Sequence, residues 1–406
     1  MEAPRPEAPA SDWRQRLGAG PRVDPALWVH AASVGEVRAA APLVERLQTR
    51  GEPLLLSTMT VTGRAQCEAL HPALPRRLAP LDLRPCVEAA LRRAPPRALV
   101  MVEAELWPGW IAACARRAAP VLVVSARMSD RTFRRHRALG SWIGRTLRRL
   151  QRIGARTEVD AERFLALGAP AERVSVTGDL KLDAGAEGVT PSAELAAWLG
   201  EAPLVLAGSV HPGEEGALSS ARDAWIEAGR DAALLIAPRH LKRADEIVDS
   251  LGRAGVAVRR RSQGGPPLRA GEVALLDSLG ELAGAYAHAA IAFVGGSLVP
   301  VGGHNLLEPV FAGAPVCFGP HTNQQRHAVV LLEASTAGER VEDEAALAGA
   351  ICRALADPAA ARTRAEAGRR ALASHRGSSD RAARLVIECL ELRSESAPST
   401  STGAGG

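Results

Sequence analysis

The feature that most narrows what this chain can fold into is a rhythm that runs through it twice. A short apolar run gives way to small or polar residues, and a helical stretch follows. In the first half, Ala26-Leu27-Trp28-Val29-His30 is succeeded by Ala31-Ala32-Ser33-Val34-Gly35-Glu36. A helix is then expected over 37–47, where Ala40, Leu43, Val44 and Leu47 share a face. Apolar runs recur at 53–57, 97–102, 121–124 and 174–176. After the small-residue stretch 184–191, a second series starts, with runs at 204–207, 233–237, 256–259, 273–276, 291–294 and 316–318. Strands alternating with helical patterns make parallel sheets. The expectation is an α/β chain of two facing, Rossmann-like, doubly wound domains with a cleft between them. Its parts are a flexible lead-in at 1–25, domains at 26–184 and 185–393, and a disordered tail of small residues at 394–406. The last helix is free to pack back on the first domain.

Charge is modest overall at +5 but unevenly placed. Eight arginines fall within 131–152, with Asp130 just outside. Such a segment favours an anionic partner, and the candidates are nucleic acid, phospholipid and a phosphorylated substrate. With a single tyrosine and no aromatic-interleaved basic motif, nucleic acid is disfavoured. One basic helix is expected over 131–153, with Leu139, Ile143, Leu147 and Leu150 as a core-facing stripe. Its arginine face and Trp142 permit docking on anionic lipid. Six dispersed cysteines without a Cys-x-x-Cys pair imply a reducing compartment. No stretch has the ~20 apolar residues of a spanning helix, and the N-terminus carries no signal-type apolar core, so a soluble or peripheral protein is expected.

Ligands of doubly wound sheets bind beyond the carboxyl ends of the strands, and that is where the polar residues gather. Glu36, at a strand-to-helix turn, either complements a helix dipole or serves as a general base. Glu103 and Glu105 end an apolar strand, where two carboxylates are unlike simple surface. Lys181 is either an ordinary surface lysine or a cation facing phosphate or carboxylate. Arg239 and His240 follow a strand and suit phosphate, and Gly280-Glu281 could offer backbone groups to a base ring. Most suggestive is Gly302-Gly303-His304-Asn305-Leu306-Leu307-Glu308-Pro309, after the strand that ends in Gly295-Gly296-Ser297. Its glycines allow close approach, and Asn305 and Glu308 would share a face of a first helical turn. His211, His304 and Glu308 fit no common metal spacing, so no metal is expected. P-loop, Gly-x-Gly-x-x-Gly and Gly-x-Ser-x-Gly motifs are absent.

Together the motifs are recognisable. In chain order they are Trp28-Val-His-Ala-Ala-Ser-Val-Gly-Glu36, Ser57-Thr-Met-Thr-Val-Thr-Gly63, Glu103-Ala-Glu-Leu-Trp-Pro108, Ser125-Ala-Arg-Met-Ser129 and Thr177-Gly-Asp-Leu-Lys-Leu-Asp183. Then come Pro238-Arg-His240, Gly295-Gly-Ser297, Gly302 to Pro309 and Gly319-Pro-His321. Over about residues 13 to 390 the chain resembles the 3-deoxy-D-manno-octulosonic acid (Kdo) transferases of lipopolysaccharide synthesis.

The resemblance implies an inverting GT-B glycosyltransferase. It would move Kdo from CMP-Kdo to a lipid A precursor, lipid IVA, with no metal and no cofactor besides the donor. It makes 26–184 the acceptor-binding domain and 185–393 the CMP-sugar-binding domain. Glu36 becomes the general base, with Glu103, chosen over Glu105, and Lys181 assisting the transition state. CMP contacts carry over onto Pro238, Arg239, Leu279, Gly280, Glu281, Asn305, Leu306, Leu307 and Glu308. Localisation is expected at the cytoplasmic side of the inner membrane. Family members usually begin with an apolar anchor, where this chain has Pro- and Ala-rich sequence, so contact with the anionic membrane surface is expected to be peripheral here, or lost. Pro108-Gly109-Trp110 departs from the Pro-Asn more usual in the family, and Val61 stands where Pro is usual. Two rivals share the fold: another GT-B enzyme, such as a UDP-sugar transferase or epimerase, and a non-catalytic nucleotide- or lipid-binding protein.

Overall fold

The computed structural model describes residues 10–103, 106–185 and 190–396. Glu105, most of the expected tail, part of the 184–191 stretch and the first nine residues of the expected lead-in lie outside the described residues. The chain divides into two compact units, residues 1–184 with 375–406, and residues 185–374.

The first unit is built on seven strands: β1 (Ala26–His30), β2 (Leu54–Thr58), β3 (Arg76–Leu78), β4 (Pro96–Val102), β5 (Val121–Ala126), β6 (Arg152–Ala155) and β7 (Val174–Val176). Their order is β3-β2-β1-β4-β5-β6-β7, and every pairing is parallel. Parallel sheets covered on both faces need strands apolar on both sides, and every residue of β1 and β5 is buried. Alternate residues divide between two cores. Trp28, Leu55, Leu99 and Met101 pack with Trp110, Ile143 and Phe164 on one face. Leu27, Val29, Val100 and Val102 pack with Val37, Leu43 and Leu47 on the other. The helix expected over 37–47 runs Val34–Thr49, with Ser33 as its cap.

The last helix, Ser378–Ser396, belongs to this unit rather than to the second. Ala382, Val386 and Cys389 enter the second of those cores. Its start is held by a residue nearly two hundred positions earlier: Asp183 accepts from Gly377 N (2.8 Å), Ser379 N (2.6 Å) and Ser378 Oγ (2.9 Å). Residues 10–25 are likewise no flexible lead-in. A helix at Ala10–Arg16 is fastened by an Asp12–Arg64 ion pair of 2.6 Å and by Gln15 Oε1 accepting from Leu78 N at 2.7 Å.

The expected single basic helix over 131–153 is two helices and the start of a strand. Asp130–Ala138 ends at Gly140, whose φ of +52° a helix cannot continue, and Ser141–Leu147 leads to β6. Ile143, Leu147 and Leu150 are buried, whereas Leu139 faces out.

The second unit repeats the plan with β8 (Leu204–Val210), β9 (Ala233–Pro238), β10 (Val258–Arg260), β11 (Val273–Leu275), β12 (Ala289–Val294), β13 (Val316–Phe318) and β14 (Gly338–Arg340). Their order is β10-β11-β9-β8-β12-β13-β14, all parallel. The side on which the chain adds successive strands switches between β1 and β4 in one sheet and between β8 and β12 in the other. These are the points where such sheets open a crevice at their carboxyl edge.

Candidate active site

In the first unit, the two elements that leave the carboxyl edge at the switch point carry Glu36 and Glu103. Beyond β1 the chain turns into the helix Val34–Thr49, and Glu36 occupies its first turn. Its carboxylate accepts from Ala32 N (2.7 Å) and Ser33 Oγ (3.3 Å), while Ser33 Oγ accepts from Glu36 N (3.4 Å). This is close to a capping box, which fixes the rotamer. The half-buried carboxylate is thus held by its own turn, and an ionised carboxylate retains acceptor sites for a further proton.

Glu103 ends β4 in the left-handed region, φ +62°, and is almost wholly buried. Lys181 Nζ lies 2.6 Å from one carboxylate oxygen and Arg127 Nε 2.8 Å from the other. Burial alone would push this carboxyl up, but the charges of Lys181 and Arg127 prevail and hold it below the ordinary value. Two cations thus flank this carboxylate, with Asp179 as a further, weaker negative neighbour. Of the sequence candidates, the structure brings Glu103 and Lys181 together and adds Arg127, which sequence reasoning quoted in a motif without giving it a role.

Beneath this edge, His30 is fully buried. Ser57 Oγ accepts from Trp28 Nε1 (2.6 Å) and lies 3.0 Å from His30 Nδ1. Burial lowers the imidazole to about 4, so it is neutral near pH 7. Its ring packs against those of Trp110 and Trp107, with centroids 5.1 and 6.4 Å away. Gly109, one of the departures noted above, has a physical reason. Asp82 accepts from Gly109 N (3.0 Å) and Trp110 N (2.7 Å), and a Cβ on Gly109 would come within 2.7 Å of that carboxylate.

In the second unit, the glycine turn after β12 behaves differently from the expectation of free N–H groups for an anion. Glu214, fully buried, fills that place from within: its carboxylate accepts from Gly296 N (2.8 Å), Ser297 N and Leu298 N (both 3.1 Å), and from His211 N (2.9 Å). No Cβ fits at Gly295, where it would approach Ser209 O to 2.5 Å and Glu214 to 2.7 Å. The turn is therefore shaped by an internal anion. It presents His304 to His211, with Nε2 atoms 2.7 Å apart and rings stacked at 4.9 Å. Burial, then the nearby charges of Arg239, His211 and His240, lower His304 to about 4. Arg239 and His240 therefore gather with this pair, and both are exposed.

The helix after this turn starts later than the motif suggests, at Leu307–Ala312. Asn305 precedes it and bends its side chain to accept from Leu307 N at 3.2 Å, so Asn305 and Glu308 do not share a first turn. Leu306 and Leu307 are buried, so only their backbone can meet a ligand. Glu308 lies close enough to raise the buried Tyr286 phenol, after the larger effect of burial. Leu279 is exposed and Gly280 takes a φ of +85°. The Glu281 side chain is committed to Arg261 (2.9 Å), which lowers its pKa. The helix Leu282–Ala285 packs against Leu307–Ala312, which brings 279–281 beside 305–308. Pro238 closes β9 and is buried.

Two doubly wound units of this kind define the GT-B class, and solved structures share the architecture. A glycosyltransferase from Rickettsia africae superposes with a TM-score of 0.62 at 14% identity, over 92% of this chain and 99% of its own. A UDP-GlcNAc 2-epimerase from Neisseria meningitidis gives 0.60 at 14%, over 91% and 100%. At such identities the likeness concerns fold alone. Sequence goes further. The family described as 3-deoxy-D-manno-octulosonic-acid transferase (kdotransferase) matches residues 11–184. The chain is 38% identical over 381 residues to the 3-deoxy-D-manno-octulosonic acid transferase of Bordetella pertussis, covering 90% of this chain and 86% of that one. It is 33% identical over 307 residues to that of Haemophilus influenzae, covering 73% and 71%. The chain belongs to the Kdo transferase family and is a glycosyltransferase.

Proposed function

We propose that this enzyme transfers Kdo from CMP-Kdo to a hydroxyl of a lipid A precursor, lipid IVA, with inversion, at the cytoplasmic face of the inner membrane. The observation that carries the reading is the pairing of an oriented carboxylate, Glu36, with the cation-flanked Glu103 at the switch point of the first sheet. Glu36 takes the proton of the acceptor hydroxyl as its oxygen attacks the anomeric carbon of Kdo. The bond from that carbon to the CMP phosphate oxygen breaks, and CMP leaves with the electron pair. Lys181 and Arg127, which flank Glu103, stabilise anionic character in the transition state.

Donor binding falls to the second unit. Arg239 meets the phosphate, the exposed Leu279 and the backbone of Gly280 and Glu281 meet the base, and Asn305 to Glu308 meet the ribose, with Glu308 accepting from its hydroxyls. No metal or cofactor beyond the donor is invoked. Support comes from the family membership and from the exposed Arg239 beside three histidines in the second unit. Purified protein given CMP-Kdo and lipid IVA should release CMP and yield a lipid heavier by Kdo, with CMP outcompeting UDP as a product inhibitor. Absence of transfer to any lipid A precursor, or preferential inhibition by UDP, would overturn the reading.

A further inference from the structure

The carboxyl ends of β8 and β9 and the glycine turn after β12 bring three histidines and an arginine together. Val210, which ends β8, pairs with Pro238, which ends β9, and Arg239 N donates to Val210 O at 3.0 Å. Arg239 and His240 are thereby set beside His211, whose ring lies 6.2 Å from that of His240. From the other side, Gly302 N and Gly303 N donate to Gly296 O at 3.2 and 2.8 Å, which folds the chain back and lays His304 over the same turn. Gly296 has a φ of +67°, and a Cβ there would come within 3.2 Å of both imidazoles. Glycine at this place lets the two rings meet.

A neutral imidazole carries one N–H and one bare nitrogen. With the Nε2 atoms of His211 and His304 only 2.7 Å apart, one Nε2 holds a proton and the other accepts it. A further proton can enter only at Nδ1 of the donating ring, where it leaves the shared hydrogen bond in place and makes it charge-assisted. Two groups so close titrate as a unit. Positive charge opposes that proton. Arg239 and His240 act on His304, and Lys242 and Arg243 act in turn on His240. The acids of these elements are committed elsewhere. Glu214 accepts from four backbone N–H groups, and Glu215 from Arg243 (2.7 Å) and Gly213 N (2.9 Å). Glu308, on the helix that follows, acts on Tyr286. A bound anion would offset each of these repulsions at once.

We propose that His211 and His304 are a proton-sharing pair that takes up one further proton as a phosphate monoester binds beside Arg239, so that phosphate binding and protonation are linked. The ligand class follows from charge, since a phosphate monoester is dianionic above its second pKa of about 6. This rests on the donor phosphate placed at Arg239 above and deepens it. In the intact donor that phosphate is a diester with a single negative charge. When its bond to the anomeric carbon breaks, the electron pair stays on the phosphate oxygen and the charge becomes double. The proton drawn from solvent onto the pair offsets the charge gained, so the leaving group is held more firmly than the donor. By linkage, the affinity for CMP falls as pH rises.

Calorimetry of CMP binding to the full-length protein at about pH 7.5, repeated in buffers of different ionisation enthalpy, counts the protons taken up. About half a proton or more per CMP is expected, with affinity falling about threefold over the pH unit above neutrality. Cytidine, which has no phosphate, should draw none. His304→Asn and His211→Asn should each abolish the uptake, whereas His240→Asn should keep it. Should neither pair variant fold, ring-nitrogen NMR shifts of the wild-type histidines carry the same reading: two rings should titrate together, and at higher pH with CMP bound. CMP binding without buffer-dependent uptake, or uptake lost only in His240→Asn, would overturn the proposal and leave the functional reading standing. Uptake with inorganic phosphate by a protein that does not bind CMP would support the pair and contradict the functional reading alone.

Discussion

Glu103 adopts a backbone conformation that costs a glutamate about 1–3 kcal/mol, and it does so while nearly buried. The ion pairs with Lys181 and Arg127 offset both penalties. Lys181 is the more consequential partner, since its charge is the larger of the two opposing burial. Lys181→Met should lower the stability of the first unit by up to about 3 kcal/mol, with Arg127 limiting the loss, and reduce turnover at least about tenfold. The sign with pH follows from the depressed carboxyl. Its stabilisation is present above the ordinary value of 4.5 and fades as pH falls through the lower folded value. Urea midpoints of wild type and variant should therefore converge in acid, and midpoints measured across that range check it.

At the scale of elements, the C-terminal helix shows how one residue can commit a segment to a distant partner. Asp183 closes three hydrogen bonds on the start of Ser378–Ser396. Asp183→Ala should cost about 3 kcal/mol and loosen that helix first, visible as faster amide exchange over 378–390 than over β4. In Thr177-Gly-Asp-Leu-Lys-Leu-Asp183, then, the lysine addresses the carboxylate and the aspartate anchors the fold. The longer strands were legible because their residues are apolar on both faces. Three strands were not: Arg76-Arg77-Leu78, Arg152-Ile153-Gly154-Ala155 and Gly338-Glu339-Arg340 are short and charged. Two of them are edge strands, which need apolar character least. Residues 10–25 looked like a loose leader because their anchors are polar and single. The break at Gly140 was hidden by an arginine periodicity that carries on past it.

For the whole molecule, doubly wound order directs attention to two strand pairs, and the sequence motifs lie at both. The turn that orients the Glu36 carboxylate was readable because it is local, whereas the pairing of Lys181 with Glu103 joins segments far apart in sequence. Arg127 and Glu214 escaped because their roles exist only when segments far apart in sequence meet. Glu214 matters most for the account, since it converts a turn expected to bind an external anion into one already charged from inside. In the mechanism proposed above, the donor end then rests on Arg239 and the adjoining histidines, and bond formation on Glu36. The most direct measurement is transfer by Glu36→Ala, read as Kdo-bearing lipid by mass spectrometry, beside CMP binding by calorimetry on the same preparation. The account predicts that transfer falls by a factor of about a thousand or more while CMP affinity stays unchanged. Near-wild-type transfer by that variant would contradict it.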